Sequence, residues 1–135
     1  MNNRIVLERE TVLDMAIAAR SRHKSAAELL DAVEKESIRA SVCSSDLPFI
    51  YDELADFMDS DAKLYLEALV SAFDVLDVDE AVCKQALAML EDDLPAAILQ
   101  VCAEKVAADY IITSTPSDYK KCNIKAIEAT KFLQL

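Results

Sequence analysis

The stretch Ala108-Asp109-Tyr110-Ile111-Ile112-Thr113-Ser114-Thr115-Pro116-Ser117-Asp118-Tyr119 decides how the chain is read. Its core, Tyr110 to Thr113, is a short aromatic and β-branched run closed by Ser, Thr and Pro, the pattern of a buried strand followed by a turn. Upstream, Leu94, Ala97, Ile98, Val101 and Cys102 recur at helical spacing. Asp92 or Asp93 is placed to cap that helix, with Pro95 tolerated in its first turn. Downstream, Ile124 to Ile127 reads as a last short strand and Thr130 to Leu135 as a terminal turn or helix.

The same alternation runs back to the N-terminus. Arg4-Ile-Val-Leu-Glu8 is a β-branched run readable as a strand, and Thr11 begins a helical pattern carrying Val12, Leu13, Met15 and Ile17. Ser25 with Glu28 three residues later has the form of a capping box. The helix it opens shows Ala26, Leu29, Leu30 and Val33 on one face. Ile38 to Ser44 predicts a second strand, and Ser45-Asp46-Leu47-Pro48 a cap and first helical turn leading to Ile50, Leu54 and Phe57. Ser60 or Asp59 opens a helix with Leu64, Leu66, Leu69 and Val70. Phe73 to Val78 predicts a third strand, and Asp79 caps a helix with Val82, Ala86, Met89 and Leu90. Strands with continuous apolar runs, separated by helices, predict a parallel sheet covered on both faces. The expected fold is therefore α/β, a three-layer α/β/α sandwich with a central, mainly parallel sheet of four to five strands. All 135 residues fit one domain.

Composition narrows the function. Apolar residues make up 53% and charged residues 29%, so the chain is globular rather than disordered. The formal net charge of −11 argues against strong non-specific binding to a phosphate backbone, which Lys and Arg drive by displacing counterions. There is no glycine, which removes the P-loop and the dinucleotide-binding GxGxxG, both of which need backbone to approach phosphate closely. The four cysteines, Cys43, Cys83, Cys102 and Cys122, form no CxxC pair and His23 is the sole histidine, so structural zinc is not expected. Cys83 and Cys102 read as small core hydrophobes. No secretory signal and no membrane span are expected, which points to a reducing, cytoplasmic setting with free thiols.

In parallel α/β sheets ligands sit outside the carboxyl ends of the strands. There the sequence puts Glu8, Glu10 and Asp14 after the first strand, Ser44, Ser45 and Asp46 after the second, and Thr113, Ser114, Thr115 and Asp118 after the Tyr110 strand. Acids gathered at one edge repel, a cost that Mg2+ or Mn2+ offsets; the same acids also serve as helix caps.

The segment Ala108 to Thr113, then Ser117-Asp118-Tyr119, resembles the "ADYIVTRN…DF" segment of PIN domains, the metal-dependent ribonucleases typified by toxins of toxin–antitoxin pairs. Ile124-Lys125-Ala126-Ile127 and Thr130-Lys131-Phe132-Leu133 are similar to their closing strand and "TPEEFL" helix. Leu7 to Met15 looks like a worn "LDTNVLLDL", and Cys43 to Pro48 is like the family's second strand and following helix start. The resemblance implies a cluster of acids holding one or two Mg2+ or Mn2+ ions for phosphodiester cleavage. Carried over, the first acid falls on Glu8 and the last on Asp118, while the adjacent polar positions fall on Arg9 and Glu10. The acid of the helix after strand two falls on Phe49. That of the "DxxDA" segment falls on Ala96, with Asp93 as its earlier acid. The expected remnant site, catalytic and metal-binding at once, is Glu8, Asp93 and Asp118, with Glu10 or Asp14 as helpers and Glu53 one turn beyond Phe49. Two readings stay open: a binding or regulatory module with impaired or lost nuclease activity, and a Mg2+/Mn2+-dependent endoribonuclease acting as a toxin. An antitoxin-like partner and a homodimer through Leu64, Leu66 and Leu69 are expected from the resemblance, and RNA only if the site is active; the same leucines also read as core.

Overall fold

The computed structural model describes residues 3–135. Five strands form one sheet: β1 (Asn3–Leu7), β2 (Ile38–Cys43), β3 (Asp74–Leu76), β4 (Tyr110–Ile112) and β5 (Lys125–Ile127). Every pairing is parallel, in the order β3-β2-β1-β4-β5. The chain builds outward from β1 to β3 on one side, then returns to lay β4 against the free edge of β1. The direction of winding thus reverses between β1 and β4, and ligands bind at that kind of switch point.

Alternation along the strands assigns the layers. Ile5, Leu7, Ala40, Val42 and Ile112 face one core, which α1 (Arg9–Ala16), α2 (His23–Glu34), α3 (Leu47–Met58), α4 (Ala62–Ala72) and α7 (Ala129–Leu133) cover. Val6, Cys43 and Ile111 face the other, beneath α5 (Glu80–Met89) and α6 (Leu94–Lys105). The expected three-layer sandwich is present. Among the described residues no helix is long and apolar enough to cross a membrane.

Caps follow the sequence at α5 and α6; at α2, α3 and α4 no side chain caps the helix start. Asp79 accepts from the Val82 amide at 3.0 Å, and Asp93 from the Ala96 amide at 3.0 Å. Ser25 does not cap α2: the helix already starts at His23, and the Ser25 hydroxyl donates to the Arg22 carbonyl inside the first turn. A turn that joins the His23 amide to the Arg20 carbonyl starts the helix early. Cys83 is exposed, not a core residue, because α5 turns Val82 and Ala86 inward and leaves their neighbour in solvent. Likewise α4 buries Ala62 and Leu69, partly covers Leu66, and leaves Leu64 70% exposed.

Without glycine, three helices end on non-glycine residues with positive φ, Glu36, Asp59 and Ala107, and those at Glu36 and Ala107 close in the same way. Ala107 has φ 51° and Glu36 φ 60°. After α6 the Ala107 amide bonds to the Glu104 carbonyl and the Ala108 amide to the Ala103 carbonyl. After α2 the Glu36 amide reaches Val33 and the Ser37 amide reaches Ala32. Both are Schellman closures, in which glycine is the usual residue because a Cβ crowds the following carbonyl. Ala107→Gly is therefore expected to stabilise the protein by about 1 kcal/mol, relief of the Cβ clash outweighing the extra freedom of the unfolded chain. Chemical denaturation measures it; an unchanged or lower midpoint would contradict the strain.

Candidate functional site

Glu8 stands at the carboxyl end of β1 and begins the turn into α1. Its amide donates to the Ile112 carbonyl of β4 at 3.0 Å, and its carbonyl accepts from the Thr11 amide. The Thr11 hydroxyl donates to the same Ile112 carbonyl at 3.2 Å. The two strands at the switch point are thereby locked in register where the side chain leaves the sheet. That side chain takes two donors on one oxygen: the Thr113 hydroxyl at 3.0 Å and the Tyr119 hydroxyl at 2.9 Å reach Glu8 Oε2.

Around it opens a cleft of about 200 Å³. Acids from four separate segments line it: Glu8 and Glu10 after β1, Asp46 after β2, Asp93 at the start of α6, and Asp118 after β4. Arg9, Ala96, Ser114, Thr115 and Tyr119 complete much of the wall. The structure thus brings Glu8, Asp93, Asp118 and Glu10 to one place. Asp14 stands outside the cleft; Arg20 Nε holds it at 2.8 Å, while Arg20 Nη2 holds Glu10 at 2.9 Å. Glu53 does not line the cleft.

The acid that reaches the cleft after β2 is Asp46, which the sequence places at the carboxyl end of that strand but which was not among the expected metal-binding residues. β2 ends at Cys43, one residue earlier than predicted, and a 3-10 turn over Ser44–Asp46 precedes α3. That turn points Asp46 inward one helical turn before Phe49. Phe49 itself supports a cation: the Arg9 guanidinium carbon lies 3.9 Å from its ring centroid, within the range of a favourable cation–π contact. The signal for Asp46 was its place directly after a buried strand. Tyr119 lies in the motif Ser117-Asp118-Tyr119, but its role as a donor to Glu8 depends on the 3-10 turn Pro116–Tyr119.

Burial pushes the Glu8 carboxyl above the usual carboxylate range; the Tyr119 and Thr113 hydroxyls pull it back, and Glu10 and Asp118 add to the rise. Burial likewise raises Asp46 to about 6, with nearby Arg9 opposing the rise and Glu8 reinforcing it. Tyr119 is held firmly protonated by its burial and by the charge of Glu8, so it acts as a donor.

A divalent ion makes strict demands on such a donor set. Mg2+ asks for near-ideal octahedral oxygen geometry. Glu8 Oε2 carries two hydroxyl donors, Asp93 Oδ1 is taken by the Ala96 amide, and Asp118 Oδ2 by the Thr115 hydroxyl at 2.8 Å. Among the described residues no three His, Cys, Asp or Glu side chains are grouped closely enough to hold one ion. The acids share a cleft without sharing a coordination centre, and as arranged they do not fit the ion.

The raised Asp46 has a checkable consequence. Its folded-state value of about 6 exceeds the ordinary 3.8, so the folded protein holds that proton more tightly than the unfolded chain. Stability is then lost as pH rises from roughly 4 to 6. Asp46→Asn is expected to stabilise by on the order of 2 kcal/mol at pH 7 and by little at pH 4. An equal effect at both pH values, measured by urea denaturation, would show that ionisation of Asp46 is not the cause.

No family model and no curated protein matches the chain. Solved structures do. VapC20 of Mycobacterium tuberculosis, described as a sarcin-ricin loop cleaving toxin, superposes with a TM-score of 0.65 at 16% identity, covering 79% of this chain and 86% of its own. VapBC2 of Rickettsia felis, solved bound to a DNA fragment from its promoter, gives 0.67 at 10% identity over 93% of this chain and 98% of its own. FitAcB of Neisseria gonorrhoeae gives 0.69 at 12% identity over the same shares, 93% and 98%. At these identities the likeness speaks for the fold alone, and the chain shares the PIN-like fold of these structures.

Proposed function

We propose that the chain is a PIN-fold module of toxin–antitoxin type that works by binding, its metal-dependent RNA cleavage impaired or lost. The observation that supports this is the state of the three remnant acids. Glu8, Asp93 and Asp118 each accept a protein donor and do not converge on a common point. Ala96 offers no oxygen at the "DxxDA" position. Two-metal and one-metal phosphodiester cleavage both need carboxylates that hold the ion to within a fraction of an ångström of its working place. In this reading the partner is an antitoxin-like protein, a role suggested by the likeness to VapBC2 and FitAcB, and the setting is the cytoplasm.

A second reading, a Mg2+- or Mn2+-dependent endoribonuclease, is favoured by one specific feature: Asp46 joins Glu8, Asp93 and Asp118 in the cleft. It requires Glu8, Asp46, Asp93 and Asp118 to rearrange until they share an ion, which would then supply an activated water and neutralise charge on the cleaved phosphate.

Titrating Mn2+ into the pure protein separates the two. A site with a Kd of roughly 0.1 mM adds ~2.7 kcal/mol at 10 mM ion, a rise of several degrees in Tm. The expected result is no such rise and no cleavage of a mixed RNA substrate. A rise accompanied by cleavage that disappears in Glu8→Gln or Asp118→Asn would establish the nuclease instead.

A further inference from the structure

We infer that Arg9 is the built-in cation of the acidic cleft, occupying with its own charge the place a divalent ion would neutralise and thereby keeping such ions out. The inference rests on the binding-module reading and names the side chain responsible for it.

Five carboxylate side chains line the cleft, and Arg9 is the one cationic side chain among its lining residues. Like charges this close are tolerated only with compensation. Arg9 is half-buried and forms none of the described ion pairs, so no single carboxylate neutralises its charge. Its position is nonetheless fixed. The guanidinium lies 3.9 Å from the Phe49 ring centroid, and the planar face of that ring holds it at the cleft wall. Its neighbours in sequence, Glu8 and Glu10, line the same cleft, and its charge acts on Asp46, which lines it too. Phe49 therefore does more than fail to be an acid: it is the platform on which the replacement charge rests. A dication entering the cleft would meet that fixed charge at short range and in reduced dielectric, where repulsion is least screened.

The test measures binding rather than activity. Free Mn2+ is followed by its electron paramagnetic resonance signal while the folded protein is titrated, with Tm recorded in parallel. Arg9→Gln keeps the length and a planar head but removes the charge; Arg9→Lys keeps the charge. The inference expects no binding at millimolar Mn2+ by the wild type or Arg9→Lys. Arg9→Gln is expected to bind on the order of tenfold or more tightly, with the gain lost again in Arg9→Gln/Asp46→Asn. Should Arg9→Gln fail to fold, Arg9→Met, which keeps an apolar stem on Phe49, carries the same expectation. If the charge-free variants bind no better than wild type, the inference is overturned while the binding-module reading stands. If the wild type itself binds Mn2+, that reading fails, and equal binding by Arg9→Gln would remove the inference with it.

Discussion

Glu8 joins the sheet to the cleft, and the rest of the site depends on how it is held. Its backbone ties β1 to β4 through the Ile112 carbonyl and starts α1 through Thr11. Its carboxylate receives Thr113 from the end of β4 and Tyr119 from the turn beyond. One residue thus fixes the strand pair at the switch point and the loop that carries Asp118. Two hydroxyls on one oxygen of a half-buried carboxylate also explain how an acid is tolerated there, since each donor repays part of the desolvation. The same donors draw that oxygen toward protein partners, so the arrangement that stabilises the fold works against a shared metal centre.

Asp93 shows the same competition at a helix start. Its Oδ1 bonds the Ala96 amide and neutralises one of the orphan donors of α6. An acid at a helix N-terminus above a parallel sheet can serve as a cap or as a ligand. In this chain the capping role is visible in the hydrogen bond, while Ala96, which a ligand set would need as an acid, is buried against Val6 and Cys43 in the second core. The acidic surface follows a similar division. Glu10 and Asp14 are both spoken for by Arg20, and Asp46 is left to the long-range influence of Arg9.

Much of the fold was legible because periodicity carries it. Tyr110–Ile112, the Asp79 and Asp93 caps, and the order of strands and helices follow from apolar spacing and from the side chains that bond helix-start amides. The errors lie where a single residue of offset decides the outcome. Ending β2 at Cys43 rather than Ser44 turns Asp46 into the cleft and leaves Phe49 beneath Arg9. Starting α2 at His23 removes Ser25 from the cap. The left-handed Ala107 and Glu36 could not be foreseen either, because glycine, the ordinary marker of such closures, is missing from the whole chain. At the site, Glu8, Glu10, Asp46 and Asp118 were legible from their positions after strands, and Asp93 from its place at a helix start. Arg9 and Tyr119 were not, since their roles depend on contacts with Phe49 and with Glu8 that no spacing rule encodes.

The central claim is that these carboxylates share a cleft but not an ion. Anomalous diffraction at the manganese edge, from crystals equilibrated with millimolar Mn2+, addresses it directly. The account predicts no anomalous peak bound by the carboxylates of Glu8, Asp46, Asp93 and Asp118. A peak coordinated by three or more of them would contradict it.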